Sequence, residues 1–326
     1  MAPARQSPLR APCRYSDRVT SQIAYALGPR GAAPYAGSRH RGRGRPSPYE
    51  RSSYSRVLPP KLIDTTEDAS IAMIEPKCVV TCVSDYVAAL KDLGIAGERP
   101  PFWFRGHSDA MYRLVPHTMR TDAARTSERA MLRTFKQDAQ TFLLNAPEND
   151  WEWLFLAQHH GVPTRLLDWS ENALVGLYFA TETSEGPLPG TDPPGGDVWV
   201  LVPTVLNERD WNAIHPSDIP MFGIDELLEP YHPLAKIDAQ QRRNAVAGLA
   251  SRTFHRIASQ WGTFTISLDD TPLESLTMEH RHLHRISVPA NAKAQLRSEL
   301  TYLGIEERVI YPDLHRLGAR VKALFA

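Results

Sequence analysis

Gln158-His159-His160-Gly161-Val162-Pro163-Thr164-Arg165-Leu166-Leu167-Asp168-Trp169-Ser170 gathers seven polar or charged side chains around a glycine-proline turn. Polar groups in so apolar a setting are tolerated only when hydrogen-bonded or paired. The stretch therefore marks either a site or a structural polar network. It also orders the elements around it. Upstream, Trp151, Leu154 and Phe155 follow the i, i+3, i+4 rule of a helix from about Asp150, its N-cap, through Gln158, and Gly161 is placed to end it. Thr164 to Trp169 reads as a strand. Alternation puts Thr164, Leu166 and Asp168 on one face and Arg165, Leu167 and Trp169 on the other, so Arg165 and Asp168 serve different tasks. Ser170 is expected to cap a helix over 171–183.

Working outward, Ser84 or Asp85 caps a helix from about Tyr86 to Leu93 with Val87, Leu90 and Leu93 on its apolar side. Phe102-Trp103-Phe104-Arg105 reads as a short buried strand after the Pro100-Pro101 stop. Residues 127–144 look helical, with Met131, Leu132, Phe135, Ala139 and Phe142 on one side. Val198 to Val202 is a buried strand, and 203–235 is proline-rich and irregular with short helices. A helix is expected over about 240–260, strands at Thr263–Leu268 and Ile286–Val288, and a helix over 291–303. Pro312 suits the first position of a final helix with Leu314, Leu317, Val321 and Leu324 as apolar positions. The fold class expected is α+β, a single mixed domain over 75–326 with a small central sheet flanked by helices.

The formal charges of the 326 residues balance, but their distribution does not. Residues 1–60 hold eleven arginines against Asp17 and Glu50, a net of +9, and the remainder carries a net of −9. An acidic body offers no footprint for phosphate-backbone binding, so a nucleic-acid partner is suggested only by the basic arm. Rich in Pro, Gly, Ser and Arg, residues 1–72 read as a disordered arm. Two readings of it stay open: a resemblance to an organelle transit peptide, or a start assigned too early, with Met73 as the true one. Cys13, Cys78 and Cys82 are too sparse and odd in number for a disulfide framework, which points to a reducing, cytoplasmic setting. No apolar run approaches the ~18 residues of a spanning helix, so no membrane partner is expected. His280, His282 and His284 would share one strand face, yet no supporting ligand cluster accompanies them, and no metal site is assigned.

Phe104-Arg105-Gly106, Gln158-His159-His160-Gly161, Pro163 through Trp169, and Ala173-x-x-x-Leu177-Tyr178-Phe179-Ala180 together resemble the FRG domain, named for its Phe-Arg-Gly triplet. Gln260-x-Gly262-x-Phe264 and Tyr311-Pro312-Asp313-Leu314 resemble the tail of that domain, so the likeness runs over about residues 80–322. Ser170 departs from the threonine usual there. The same pieces are also similar, more weakly, to ADP-ribosyltransferase-like folds: a strand carrying Arg105-Gly106, a strand ending in Ser170 that feeds a helix, and a third motif over Ser259–Phe264. Gln260 stands nearest the place of the catalytic glutamate of those folds.

Arg105 has two open readings. In one it pairs with Asp168 and ties two strands together; in the other it binds a ligand phosphate, for which its planar fork is suited. Both hold if Asp168 orients Arg105 toward an anion. Gly106 is expected to leave the backbone open beside it. His159 is either a helix-terminal histidine facing free carbonyls or a general acid-base. By resemblance, a nucleotide-like anionic ligand would sit among Arg105, Gly106, Gln158, Thr164, Arg165 and Ser170, with His159, Asp168 and Gln260 as catalytic candidates. The chemistry implied is NAD-dependent ADP-ribosyl transfer or a related nucleotide reaction, with NAD as substrate and no required cofactor. The alternative is a non-enzymatic interaction module whose motif is a buried polar network, with no protein partner legible in the residues.

Overall fold

The computed structural model describes residues 74–94, 101–183, 193–208, 218–235, 244–276 and 282–325. The arm, Met73 and His280 lie outside them. In chain order the elements are β1 (Cys78–Val79), α1 (Val83–Asp92), β2 (Trp103–His107), α2 (Asp122–Asp138), α3 (Asp150–His159), β3 (Leu166–Ser170), α4 (Ala173–Ala180), β4 (Gly196–Leu201), α5 (Pro203–Glu208), β5 (Val246–Gly248), α6 (His255–Ser259), β6 (Gly262–Ile266), β7 (Leu283–Val288), α7 (Lys293–Tyr302), α8 (Glu307–Ile310) and α9 (Leu314–Leu324). The fold is α+β, and its sheet is larger than expected: seven strands in the order β1-β7-β4-β2-β3-β6-β5. Only β1 and β7 are parallel; every other neighbouring pair is antiparallel.

The middle of this sheet is nearly divided. β4 pairs with β2 over five residues and β3 with β6 over five, but β2 and β3 share the single pair Phe104–Ser170. Continuing that antiparallel register would set Gly106 opposite Asp168, where no pairing forms. The strands part at the end of β2 and the start of β3. Each half carries its own core on one face. Phe104, Val198, Val200 and Ile286 pack beneath α1, α4 and α7, whereas Leu166, Phe264 and Ile266 pack with Trp151, Leu154 and Phe155 of α3. On the opposite face one cluster, including Trp103, Leu167, Trp169 and Trp199, spans both halves and keeps them together.

Close backbone contact explains why α4 lies directly on β2. A Cβ on Gly106 would stand 2.1 Å from the Gly176 carbonyl oxygen, and one on Gly176 would stand 2.7 Å from the Phe104 Cβ. The third residue of the Phe-Arg-Gly triplet thus serves helix-on-strand packing. It does not open the backbone to a ligand, and that expectation is corrected.

Several boundaries move for local reasons. The α3 cap is Asn149, whose side chain accepts from the Glu152 amide, in place of Asp150. Gly161 ends α3 as expected, with φ of 82°. Asn172 caps α4 in place of Ser170. α1 begins at Val83 and buries Tyr86 and Ala89, leaving Val87 exposed, so the buried row is shifted by one residue from the one expected. The predicted helix over 127–144 starts earlier, at Asp122, and tightens after Asp138 into a 3-10 turn that leaves Phe142 exposed. The largest error is the helix expected over 240–260. Within its described part, Val246-Ala247-Gly248 forms the edge strand β5 against β6, and only His255–Ser259 is helical. Intrinsic strand preference does not explain this, since only Val246 is β-branched; the run is a strand because β6 offers it an edge to pair with.

Candidate functional site: the cleft where two strands part

Where β2 and β3 separate, a side chain takes the place of the missing ladder. The Arg105 Nη1 donates to the main-chain carbonyl of Asp168 at 2.7 Å, and its Nε donates to His107 Nε2 at 3.0 Å. His107 lies two residues along the same strand, so alternation puts both side chains on one face. Its Nε2 accepts, so the ring is neutral. Burial, with Arg105 and Arg120 adding, holds its pKa well below the usual histidine value. Burial likewise draws the Arg105 guanidinium down to about 10, against the opposing pull of Asp168.

The Asp168 carboxylate is oriented from its other side. Gln158 Nε2 donates to Asp168 Oδ1 at 2.6 Å, and Thr164 Oγ1 donates to Gln158 Oε1 at 2.5 Å. One hydrogen-bonded chain therefore runs Thr164–Gln158–Asp168–Arg105–His107, drawing on the end of α3, the turn after it, β3 and β2. Gln158 reaches Asp168 because Gly161 reverses the chain directly after α3. Thr164 is buried, whereas the Asp168 side chain is 62% exposed and its carboxylate stands 3.7 Å from Arg105 Nη1. The pairing of Arg105 with Asp168 expected in one reading forms, but with an exposed carboxylate; the shorter tie between the strands is the Arg105 bond to the carbonyl, and the carboxylate faces the opening.

The opening is a cleft of about 230 Å³, with Arg105, His117 and Arg120 on one side and Gln158, Thr164 and Asp168 on the other. His117 and Arg120 come from the 3-10 turn His117–Arg120 that follows β2. Arg120 Nε donates to the Val115 carbonyl at 3.2 Å, and no ion pair among the described residues involves Arg120. Partial burial lowers the pKa of Arg120 and, with Arg120 beside it, that of His117. Two guanidinium groups thus face one carboxylate. The cleft is net cationic in a body whose net charge is negative.

The other sequence candidates go elsewhere. Arg165 Nε and Nη2 donate to Glu128 at 2.8 and 2.5 Å, its amide donates to the same carboxylate at 2.8 Å, and Nη1 donates to the Tyr231 carbonyl at 3.0 Å. With every group occupied and Glu128 only 2% exposed, Arg165 clamps α2 to the start of β3 and is not free for a ligand. Ser170 is buried, donating to the Gln260 carbonyl at 2.6 Å and accepting from the Asn172 amide at 3.0 Å. The side chain of Gln260 donates to the Ile310 carbonyl at 2.9 Å. His159 is exposed on the other flank of α3; its electrostatic neighbours are Arg256, His160 and Asp313, and partial burial with Arg256 lowers its pKa to about 4. The convergence expected of guanidinium, carboxylate and imidazole on one hollow holds for Arg105 and Asp168. The imidazole that lines it is His117, in place of His159, while His107 is buried behind Arg105.

Sequence reading missed His107, His117, Arg120 and Glu128. The first was within reach, since it sits at i+2 from Arg105 on a recognised strand. Of the histidine run, His282 is fully buried with Nε2 3.3 Å from the Leu273 carbonyl, and His284 is half-buried on β7. Among the described residues no group of three or more His, Cys, Asp or Glu could hold a metal ion. No helix among them is long and apolar enough to cross a membrane.

Residues 100–187 match the FRG domain family. The chain carries an FRG domain. The matched segment runs from just before β2 to just after α4, so both walls of the cleft and the whole hydrogen-bonded chain across it lie within the FRG domain. No curated protein and no solved structure matches the chain. The likeness to ADP-ribosyltransferase-like folds therefore rests on the short motifs alone, and its third motif, around Gln260, lies outside the cleft.

Proposed function

We propose that the FRG domain of this chain binds an anionic, nucleotide-like ligand in the cleft between β2 and β3. One observation carries this reading: Arg105 and Arg120 face a single carboxylate, Asp168, in an open gap that the sheet would otherwise close. A guanidinium held by bonds to carbonyls has lost water without gaining a full counter-charge, and a phosphate or carboxylate supplies it. Asp168, fixed by Gln158 and exposed to the cleft, accepts bonds from ligand hydroxyls, as a ribose would offer. At about 230 Å³ the cleft falls below the ~300–1,000 Å³ of pockets that enclose a whole drug-sized ligand. It suits one phosphate and its sugar, with any further part of the ligand outside.

Transfer of ADP-ribose is less well supported than binding, because Gln260, assigned there by resemblance, is turned to Ile310. Calorimetry with AMP, ADP-ribose, NAD and inorganic phosphate tests the proposed binding, on the wild-type chain and on Arg120→Ala. Binding of AMP or ADP-ribose that weakens at least tenfold in Arg120→Ala supports the proposal. No binding of any of the four, or binding indifferent to Arg120, refutes it. Binding of NAD in preference to ADP-ribose would bring the nicotinamide reaction back.

A further inference from the structure

A second cavity, of about 640 Å³, shares no lining residue with the cleft and lies among α4, α7 and α9. Its size falls within the ~300–1,000 Å³ of pockets that enclose a small molecule. Its aromatic walls are two motif residues that the cleft leaves without a task, Tyr178 of the α4 motif and Tyr311 of the tail motif. Both are buried.

Six charged side chains line this cavity, and the fold pairs four of them. Arg316 pairs with Glu307 at 2.9 Å and Arg320 with Glu306 at 3.1 Å. The other two, Arg297 and Glu182, have no ion pair among the described residues, with each other or with any third group. Each is held by a tyrosine. The Arg297 guanidinium lies over the Tyr178 ring at 3.7 Å. Stacking occupies the face of a guanidinium and leaves its in-plane N–H donors for an acceptor. Glu182 Oε1 accepts from the Tyr311 hydroxyl at 3.0 Å, and the Glu182 carbonyl accepts from Lys293 Nζ at 3.2 Å, which fixes the residue just past α4. A carboxylate offers about four acceptor sites, and one hydroxyl fills one of them. Burial raises the Glu182 pKa, opposed by the Tyr311 bond and by Arg297, so the two charges act on each other without pairing.

Opposite charges kept apart in one cavity complement a ligand that carries both signs. An anion alone would suit Arg297 and be repelled by Glu182; a cation alone would do the reverse. A zwitterion satisfies both, its carboxylate on the guanidinium fork and its ammonium on the glutamate. The rest of the lining, with Thr183, Thr301 and the two paired arginines, is polar, so the side chain of such a ligand is polar as well. We propose that this cavity is an amino-acid site, in which Arg297 takes the ligand carboxylate and Glu182 its ammonium. The inference is independent of the ligand of the cleft.

Calorimetry of the full chain with the free L-amino acids tests it, and at least one with a polar side chain is expected to bind. Its N-acetyl derivative, which lacks the cation, and its amide, which lacks the anion, should each bind about tenfold or more weakly. Arg297→Gln and Glu182→Gln should each weaken binding by a similar factor with circular dichroism unchanged, the second keeping an acceptor for Tyr311. Thr301→Trp, at an exposed position of α7, should fill the cavity and block binding. No binding by any amino acid overturns the proposal. So does binding that N-acetylation or amidation leaves intact, or that survives both glutamine substitutions or Thr301→Trp. Inorganic phosphate held through Arg297 while no amino acid binds would make the cavity an oxyanion site and overturn it too.

Discussion

Arg105 holds β3 by its main chain: Nη1 donates to the Asp168 carbonyl at 2.7 Å, while the Asp168 carboxylate stands off at 3.7 Å. The two groups of Asp168 therefore do different work, one closing the sheet and one facing the cleft. Asp168→Asn should cost less than about 1 kcal/mol of stability, the range of an exposed ion pair. Arg105→Ala removes the donor to that carbonyl and the partner of His107, and should cost about 1–3 kcal/mol. Urea unfolding of both variants checks this. A larger loss in Asp168→Asn than in Arg105→Ala would show that the carboxylate carries the tie.

Glu128 and Arg165 form a buried pair. Glu128→Ala leaves the guanidinium of Arg165, only 12% exposed, without its counter-charge, and should destabilise by about 3–5 kcal/mol. Ligand binding at the cleft should be retained in whatever fraction stays folded, because neither residue lines it. Titration of the folded fraction with AMP at low temperature distinguishes this from a direct ligand role.

Two glycines separate packing from backbone conformation. Gly106→Ala places a Cβ 2.1 Å from the Gly176 oxygen, so α4 cannot stay on β2, and a loss above about 4 kcal/mol is expected. Gly161→Ala meets open space but must hold φ near 82°, for which about 1 kcal/mol is expected. Soluble yield and melting temperature of the two variants rank them.

Acid should unfold this protein partly through its histidines. Burial lowers the pKa values of His107, His117, His159, His232 and His284 from the ordinary 6.5, that of His159 to about 4. The folded rings bind protons more weakly than the unfolded ones, so stability is complete above pH 6.5 and falls as pH drops toward 4. A melting temperature lower by several degrees at pH 4.5 than at pH 7 is expected. His159→Gln, which keeps a polar group at an exposed position, should flatten that slope. An unchanged slope would mean that His159 titrates alike in both states.

The family and the elements that build it were legible because they depend on local chemistry. Helical spacing at Trp151, Leu154 and Phe155 and the glycine at 161 act within a few residues of themselves. So did the separation of Arg165 from Asp168, which follows from alternation along one strand. The edge strand at Val246–Gly248 was not legible, because a three-residue run acquires strand character only when β6 is beside it.

For the site, the chain alone determined that Arg105, Gln158, Thr164 and Asp168 belong together, since such polar groups in apolar surroundings require partners. It did not determine which partners. Arg165 and Arg105 are the same side chain with equal local claims on an anion. Only the packing of α2 against β3 gives Glu128 to the first, and only the parting of β2 from β3 leaves the second at an opening. Whether a charge is neutralised within the fold or left facing a cleft depends on contacts between residues remote in the chain, and those exist only once the sheet has formed.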